Sequence, residues 1–245
     1  MITIKNQANG TADLYINGEI IDDAESNWIK FWNEEPEGYQ WPAELKRQLD
    51  DLKGKDLNIY INSYGGSVAA GLAMAHMIER HDGKTTAIVD GIAASIATQI
   101  FFSANVCKCP SNAYIMIHKP WSIAQGDANE MRKVAEILDT LQKGLESTYC
   151  KKALNDVSAE QIHAMTEAET WFTGAAAAEK FKIEVLDAVK AVNCIGSIDK
   201  LKAMGAKKIP PSLNFLPENK ETSPKNNDDD WAEVEIALAL TKGVV

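Results

Sequence analysis

The 245-residue chain has no stretch in which lysine or arginine alternates with aromatics, and its formal net charge is -10 at pH 7. Nucleic-acid backbones bind to positive surface fields, so no nucleic-acid partner is expected. No apolar run approaches the roughly 18 residues that a membrane-spanning helix needs. The opening Met1-Ile2-Thr3-Ile4-Lys5-Asn6-Gln7 lacks the apolar stretch of a secretory signal. The expectation is therefore a cytoplasmic protein with no membrane partner. Cysteine is scarce: Cys107, Cys109, Cys150 and Cys194 show neither CxxC spacing nor the density of a disulfide framework. In Cys107-Lys108-Cys109 the two thiols alternate as on a strand and should share one face. His76, His81, His118 and His163 do not combine with these cysteines at metal-ligand spacing, so zinc is not expected. No internal repeat of the kind that builds a solenoid is present.

What is present is ordinary globular material, 45% hydrophobic and 24% charged, enough for one large domain or two small ones with an ample core. Residues 13–21 read as a strand and turn, followed by a segment carrying Trp28, Trp32 and Trp41 and a helix over 42–52. Leu57-Asn58-Ile59-Tyr60-Ile61-Asn62 alternates as a strand and breaks at Gly65-Gly66, before a helix over about 68–80. Further strands are predicted at 85–89, 106–108 and 114–117, with a helix to about 103 after Ser95. Strands alternating with helices indicate an α/β domain with a largely parallel sheet.

From Gly126 the pattern changes. Met131, Val134, Leu138, Leu141 and Leu145 recur at steps of three and four, which predicts a long helix over about 126–154 with one apolar seam. Such a seam packs either on its own domain or against another subunit. Ser158 caps a short helix, and Thr173 starts an alanine-rich one. The chain divides into a domain over 1–193 and a flexible polar extension over 194–245. Pro210, Pro211, Pro217, Pro224 and the run Asn226-Asn227-Asp228-Asp229-Asp230 mark that extension, with a short amphipathic helix over 231–240.

Two stretches carry chemistry. In Gly91-Ile92-Ala93-Ala94-Ser95-Ile96-Ala97 a serine sits among small residues at a helix start, where unpaired N–H groups and the positive dipole end favour negative charge. In Ile115-Met116-Ile117-His118-Lys119-Pro120 a histidine closes an apolar strand. A serine hydroxyl becomes a useful nucleophile when a neighbouring base takes its proton, so the two could act together. Each stretch alone also reads as a close-packed helix start and a structural histidine. The Gly65-Gly66-Ser67 turn could expose backbone N–H donors for an oxyanion, or serve simply as a tight turn. No Walker-type lysine follows it to make it a phosphate loop.

Together these segments resemble the ClpP family of self-compartmentalised serine peptidases. The matching stretches are Tyr60-Ile61-Asn62-Ser63-Tyr64-Gly65-Gly66-Ser67-Val68-Ala69-Ala70-Gly71, Gly91 to Ser95, Met116 to Pro120, Gly126-Asp127-Ala128 with the long helix, and Thr166 to Thr173. They occur in order over roughly residues 12–190 of this sequence. The resemblance implies a ClpP/crotonase-like α/β fold of repeated ββα units with a protruding handle helix. It implies Ser95 as nucleophile, His118 as general base, and the N–H groups of Gly66 and Ile96 as oxyanion donors. It places the third triad member at Glu169, where the main family has aspartate, with Glu167 as the nearby competitor. It further implies protein or peptide substrates and a homo-oligomeric ring.

Tyr64 stands where the family usually has proline, and Trp171, the Trp-rich early segment and the polar extension also depart from housekeeping members. These departures are closer to the phage prohead, or head maturation, proteases. The resemblance thus implies an ATP-independent serine endopeptidase acting on capsid or scaffold proteins in a bacterial host or an immature phage head. Alternatives are a host-type ClpP subunit working with an AAA+ unfoldase, a crotonase-like acyl-CoA enzyme, and a catalytically silent assembly subunit.

Overall fold

A computed structural model describes residues 3–8, 10–32, 38–189, 198–203 and 205–210. In chain order the elements are β1 (Thr3–Ala8), β2 (Thr11–Ile20), α1 (Asp23–Trp32), β3 (Tyr39–Gln40), α2 (Pro42–Asp51), β4 (Asp56–Gly66), α3 (Val68–Glu79) and β5 (Thr85–Ala94). They continue with α4 (Ala97–Ser103), β6 (Val106–Pro110), β7 (Tyr114–Ile117), α5 (Ala128–Lys152), α6 (Ala159–Glu167), β8 (Thr170–Thr173), α7 (Gly174–Ala178), β9 (Glu184–Leu186) and α8 (Ile198–Ala203).

The sheet runs β1-β2-β4-β5-β6-β9, parallel throughout except for β1 against β2. This is the mixed α/β architecture the resemblance implies. On the side away from β4, β5 has two partners in succession. Its first half, Thr86 to Ile88, pairs with β6, and its last three residues, Ile92 to Ala94, pair with β7. β7 in turn pairs antiparallel with β8. The carboxyl end of β5, where ligands of open α/β sheets are bound, is therefore surrounded by β4, β7 and β8.

Side chains on a strand alternate between two faces, and here the two faces meet different material. Ile59, Ile61, Val89, Ala93, Ile115 and Ile117 join the main core with α2, α3 and α4. Six consecutive residues of α4, Ala97 to Phe102, are buried, and the two polar ones among them have partners: the Thr98 hydroxyl meets the Tyr149 hydroxyl, and the Gln99 amide donates to the Leu145 carbonyl. Phe101, Phe102, Tyr149, Phe172 and Phe181 pack edge-on or tilted at ring separations of 5.0 to 6.4 Å. The opposite face, with Tyr64, Ile92, Ala94 and Met116, is covered by Leu201 and Ala206. Part of the polar extension that the sequence assigns from 194 onward is thus a helix and a turn docked on the sheet. The amphipathic helix expected over 231–240 lies outside the described residues.

Several local expectations are refined. β2 continues through Gly18, where the register shifts between Asn17 and Glu19, rather than ending in a turn. α1 has no counterpart in the sequence reading. Its Trp28 and Phe31 are 58% and 76% exposed, so its pattern shows no buried stripe. α5 opens with a capping box formed by Asp127 and Glu130, and α6 with one formed by Ser158 and Gln161. At 25 residues α5 is roughly 37 Å long at 1.5 Å per residue. Only Gln142, Leu145 and Tyr149 of it are buried. Among the described residues the apolar seam from Met131 to Leu141 is therefore exposed or only half-buried.

Candidate active site

Ser95 follows the last residue of β5 and precedes Ile96, the residue that caps α4. The chain makes this strand-to-helix turn in a single step, at φ 54 for Ser95. A side-chain-bearing residue in the left-handed region costs on the order of 1–3 kcal/mol and must be held there by its surroundings. The Ser95 N–H donates to the carbonyl of Met116 at 2.9 Å, and its carbonyl accepts from the Thr98 N–H at 3.0 Å. The Thr98 hydroxyl lies 2.6 Å from the same carbonyl and 2.7 Å from the Tyr149 hydroxyl. Among the described residues Ser95 and Glu169 (φ 52) are the two non-glycine residues with positive φ.

His118 lies one residue beyond β7. Because β7 runs parallel to the end of β5, with Ala94 opposite Met116, its next residues pass alongside Ser95. The His118 Nε2 lies 2.7 Å from the Ser95 Oγ. The ring is buried, and burial pushes its pKa below the ordinary 6.5. The Glu169 carboxylate opposes that shift, and the Lys207 ammonium adds to it. Near neutral pH the imidazole is therefore uncharged and able to accept a proton.

The end of β4 forms the third side. Gly65 and Gly66 have φ of 101 and 142, a region L-residues rarely adopt. A Cβ on Gly65 would lie 2.9 Å from the Ser95 Cβ and 3.2 Å from the Ile96 nitrogen. One on Gly66 would lie 2.0 Å from the Ile20 carbonyl oxygen. The missing side chains let this turn close against Ser95 and Ile96, bringing together the two positions the sequence marks for oxyanion donors. A cleft of about 290 Å³ opens here, lined by Gly66, Ser95, His118, Trp121 and Ala203 among others, with Glu19 and Glu25 on its wall.

Glu169 reaches the site through β8. The register that sets Ile117 against Thr170 brings Glu169 level with His118. Yet among the described residues no hydrogen bond joins the two. The Glu169 carboxylate instead accepts from the Lys207 N–H at 2.7 and 2.8 Å, the Lys208 N–H at 2.6 Å and the Trp171 indole N–H at 3.3 Å. Glu167, the competitor, ends α6 and accepts from Lys119 at 2.8 Å and Gln142 at 3.0 Å. The Lys119 hydrogen bond holds its carboxyl below the usual range. Five sequence-marked residues, Ser95, His118, Gly66, Ile96 and Glu169, thus converge, and Glu167 is engaged elsewhere. The contributions of Trp121, Ala203, Lys207 and Lys208 have no sequence signal. The two lysines act through backbone N–H groups, which every residue but proline carries.

Cys107 and Cys109 are both buried in β6, on one face as their alternation predicts. Burial pushes their thiols up to about 11 and about 12, so they stay protonated near neutral pH and do not compete as nucleophiles. Among the described residues no group of three or more His, Cys, Asp or Glu side chains is placed to hold a metal ion.

A family model for Clp protease matches residues 44–184, which include Gly66, Ser95, Ile96, His118 and Glu169 but not Ala203, Lys207 or Lys208. The chain is 31% identical over 128 residues to the ATP-dependent Clp protease proteolytic subunit of Bacteroides thetaiotaomicron, covering 51% of this chain and 57% of that one. It is 34% identical over 121 residues to the subunit of the same name from Ligilactobacillus salivarius, covering 49% and 60%. With that from Streptococcus gordonii it shares 34% over 143 residues, covering 57% and 70%. The chain spans about three-fifths of the length of the first two relatives. A family match over more than half of the chain, on a parallel sheet whose strand ends gather the serine, the histidine and the diglycine turn, leads to one assignment: the chain belongs to the Clp protease family.

Proposed function

We propose that the protein is a serine endopeptidase in which Ser95 attacks the peptide carbonyl and His118 takes its proton, later giving it to the leaving amine. The N–H groups of Gly66 and Ile96 stabilise the oxyanion, and Glu169 is the acid that orients the imidazole. The observation that carries this reading is the 2.7 Å contact between a neutral, buried His118 and the Oγ of a serine in left-handed backbone, beside a diglycine turn. The substrates are polypeptides, and no metal or cofactor takes part. The protein works as a ring of copies. The exposed outer half of α5, with Met131 and Ile137 at 40% and 58% exposure, supports this, as does a surface trough of about 430 Å³ between Lys133 and Leu141.

At the finer level we propose a head maturation protease that cleaves capsid or scaffold protein without ATP in the bacterial cytoplasm or the immature phage head. The features supporting it are Tyr64, Trp171, the early tryptophans and the extension beyond 194. The relatives' name, ATP-dependent Clp protease proteolytic subunit, favours a second reading as the peptidase partner of an unfoldase. Purified Ser95→Ala should lose fluorophosphonate labelling and about 10⁶-fold in cleavage rate. Persistence of either activity refutes the Ser95 assignment. Cleavage of scaffold protein by the wild type without ATP supports the first reading, and a requirement for unfoldase and ATP supports the second.

A further inference from the structure

The site contains one arrangement that a working triad does not explain. The carboxylate placed to orient His118 is already engaged by another part of the chain. Its Oε1 accepts three N–H donors, from Trp171, Lys207 and Lys208, and its Oε2 accepts from Lys207 as well. His118 makes one hydrogen bond among the described residues, to Ser95. In this arrangement the site is a serine–histidine pair with its acid withdrawn.

The donors belong to a segment that also forms part of the cleft. Ala203, at the end of α8, lines the same cleft as Ser95 and His118. Gly205 lies against the Trp121 indole, where a Cβ would be 2.3 Å from Nε1. The segment is seated on a small cluster of its own, in which Leu201 and Ala206 meet Tyr64, Ile92, Ala94 and Met116, with Trp171 at the margin. Tyr64 and Trp171 are the two residues singled out in the sequence as departures at the motif positions. Both serve the seat of this segment, and Trp171 also binds the carboxylate.

We propose that α8 and residues 205–210 form an autoinhibitory strap: docked, they hold the Glu169 carboxylate off His118 and wall the cleft, and their release completes the triad. On release the Glu169 carboxylate exchanges the N–H donors of Lys207 and Lys208 for the imidazole N–H and solvent, so it keeps charge-assisted hydrogen bonds in both arrangements. The anchoring cluster is small beside the main core, so the strap can leave without unfolding the domain. This inference rests on the serine-peptidase reading above.

The test uses full-length chains and the rate of fluorophosphonate labelling at Ser95. Lys207→Pro with Lys208→Pro removes the N–H donors, whereas Lys207→Ala with Lys208→Ala removes the same side chains and keeps the donors. The proline pair should label at least about tenfold faster than the alanine pair, a part of the roughly 10⁴-fold effect of a correctly placed triad acid. Adding Glu169→Gln to the proline pair should abolish that gain. The pH of half-maximal labelling should be higher in the proline pair than in the alanine pair, because Glu169 moves onto the imidazole. Leu201→Asp, which expels α8 by burying a charge, should reproduce the acceleration where the proline pair folds poorly. Equal or slower labelling in both the proline pair and Leu201→Asp overturns the strap while leaving the serine-peptidase reading intact. Absence of Ser95 labelling in every chain overturns that reading and the strap with it.

Discussion

The two ends of the proposed catalytic constellation are built in different ways. The Ser95 end grows out of the main core. α4 is buried through six consecutive residues, Ser95 is tied at both its N–H and its carbonyl, and Gly65 and Gly66 admit the neighbouring turn at contact distance. The Glu169 end stands at the margin. Its carboxylate is held by backbone groups of a segment 38 and 39 residues away in sequence, anchored by Leu201 and Ala206 in a small cluster. Moving Ser95 would require breaking the core, whereas moving Glu169 requires only that a short segment undock. The left-handed backbone at both residues shows that each is constrained, but by elements of very different stability.

Core truncation should give the largest effect on folding. Phe101, in the helix that follows Ser95, touches the Phe102 ring and is fully buried, so Phe101→Ala should cost about 3–5 kcal/mol in chemical denaturation. Leu201 is equally buried, but Leu201→Ala should leave the global unfolding midpoint nearly unchanged and instead speed amide exchange in α8. A global loss at Leu201 as large as at Phe101 would erase the distinction between the two ends.

Next comes Gly65→Ala. It puts a Cβ 2.9 Å from that of Ser95 at φ 101, and should lower kcat/KM by roughly 10²-fold through displacement of the turn. An unchanged kcat/KM would mean that the turn does not set the oxyanion geometry.

The smallest effect is on pH. Burial lowers the His118 pKa in the fold, so activity should rise with pH and reach half its maximum below 6.5. On acidification the unfolded chain takes up this proton first, so the His118 contribution is complete above about 6.5 and is lost as pH falls through the folded value. A half-maximum above 6.5, measured on the wild-type chain, would contradict a buried, neutral base.

Much of this was legible beforehand, and particular residues show why. Strand alternation at 57–62, the cap at Ser158 and the apolar spacing from Met131 each depend on neighbours within one element, and the structure has β4, α6 and α5 there. α1 was not legible because its large apolar side chains face solvent. β8 and β9 are too short, at 4 and 3 residues, to show a period. The surroundings of Glu167 and Glu169 depend on partners distant in the chain: Lys119 and Gln142 for one, Lys207 and Lys208 for the other.

By itself the sequence determined the alternating α/β pattern, the family motifs and the five residues that converge, because local periodicity and fixed motif spacing are properties of consecutive side chains. Only the tertiary structure decided that Ser95 takes up a left-handed turn within reach of His118. It also decided that, among the described residues, the outer half of α5 stays largely exposed, and that the carboxylate of Glu169 is bound by the extension. Those outcomes depend on strand register, on steric fit at glycines and on backbone N–H donors, and none of these is written in the identity of any one residue.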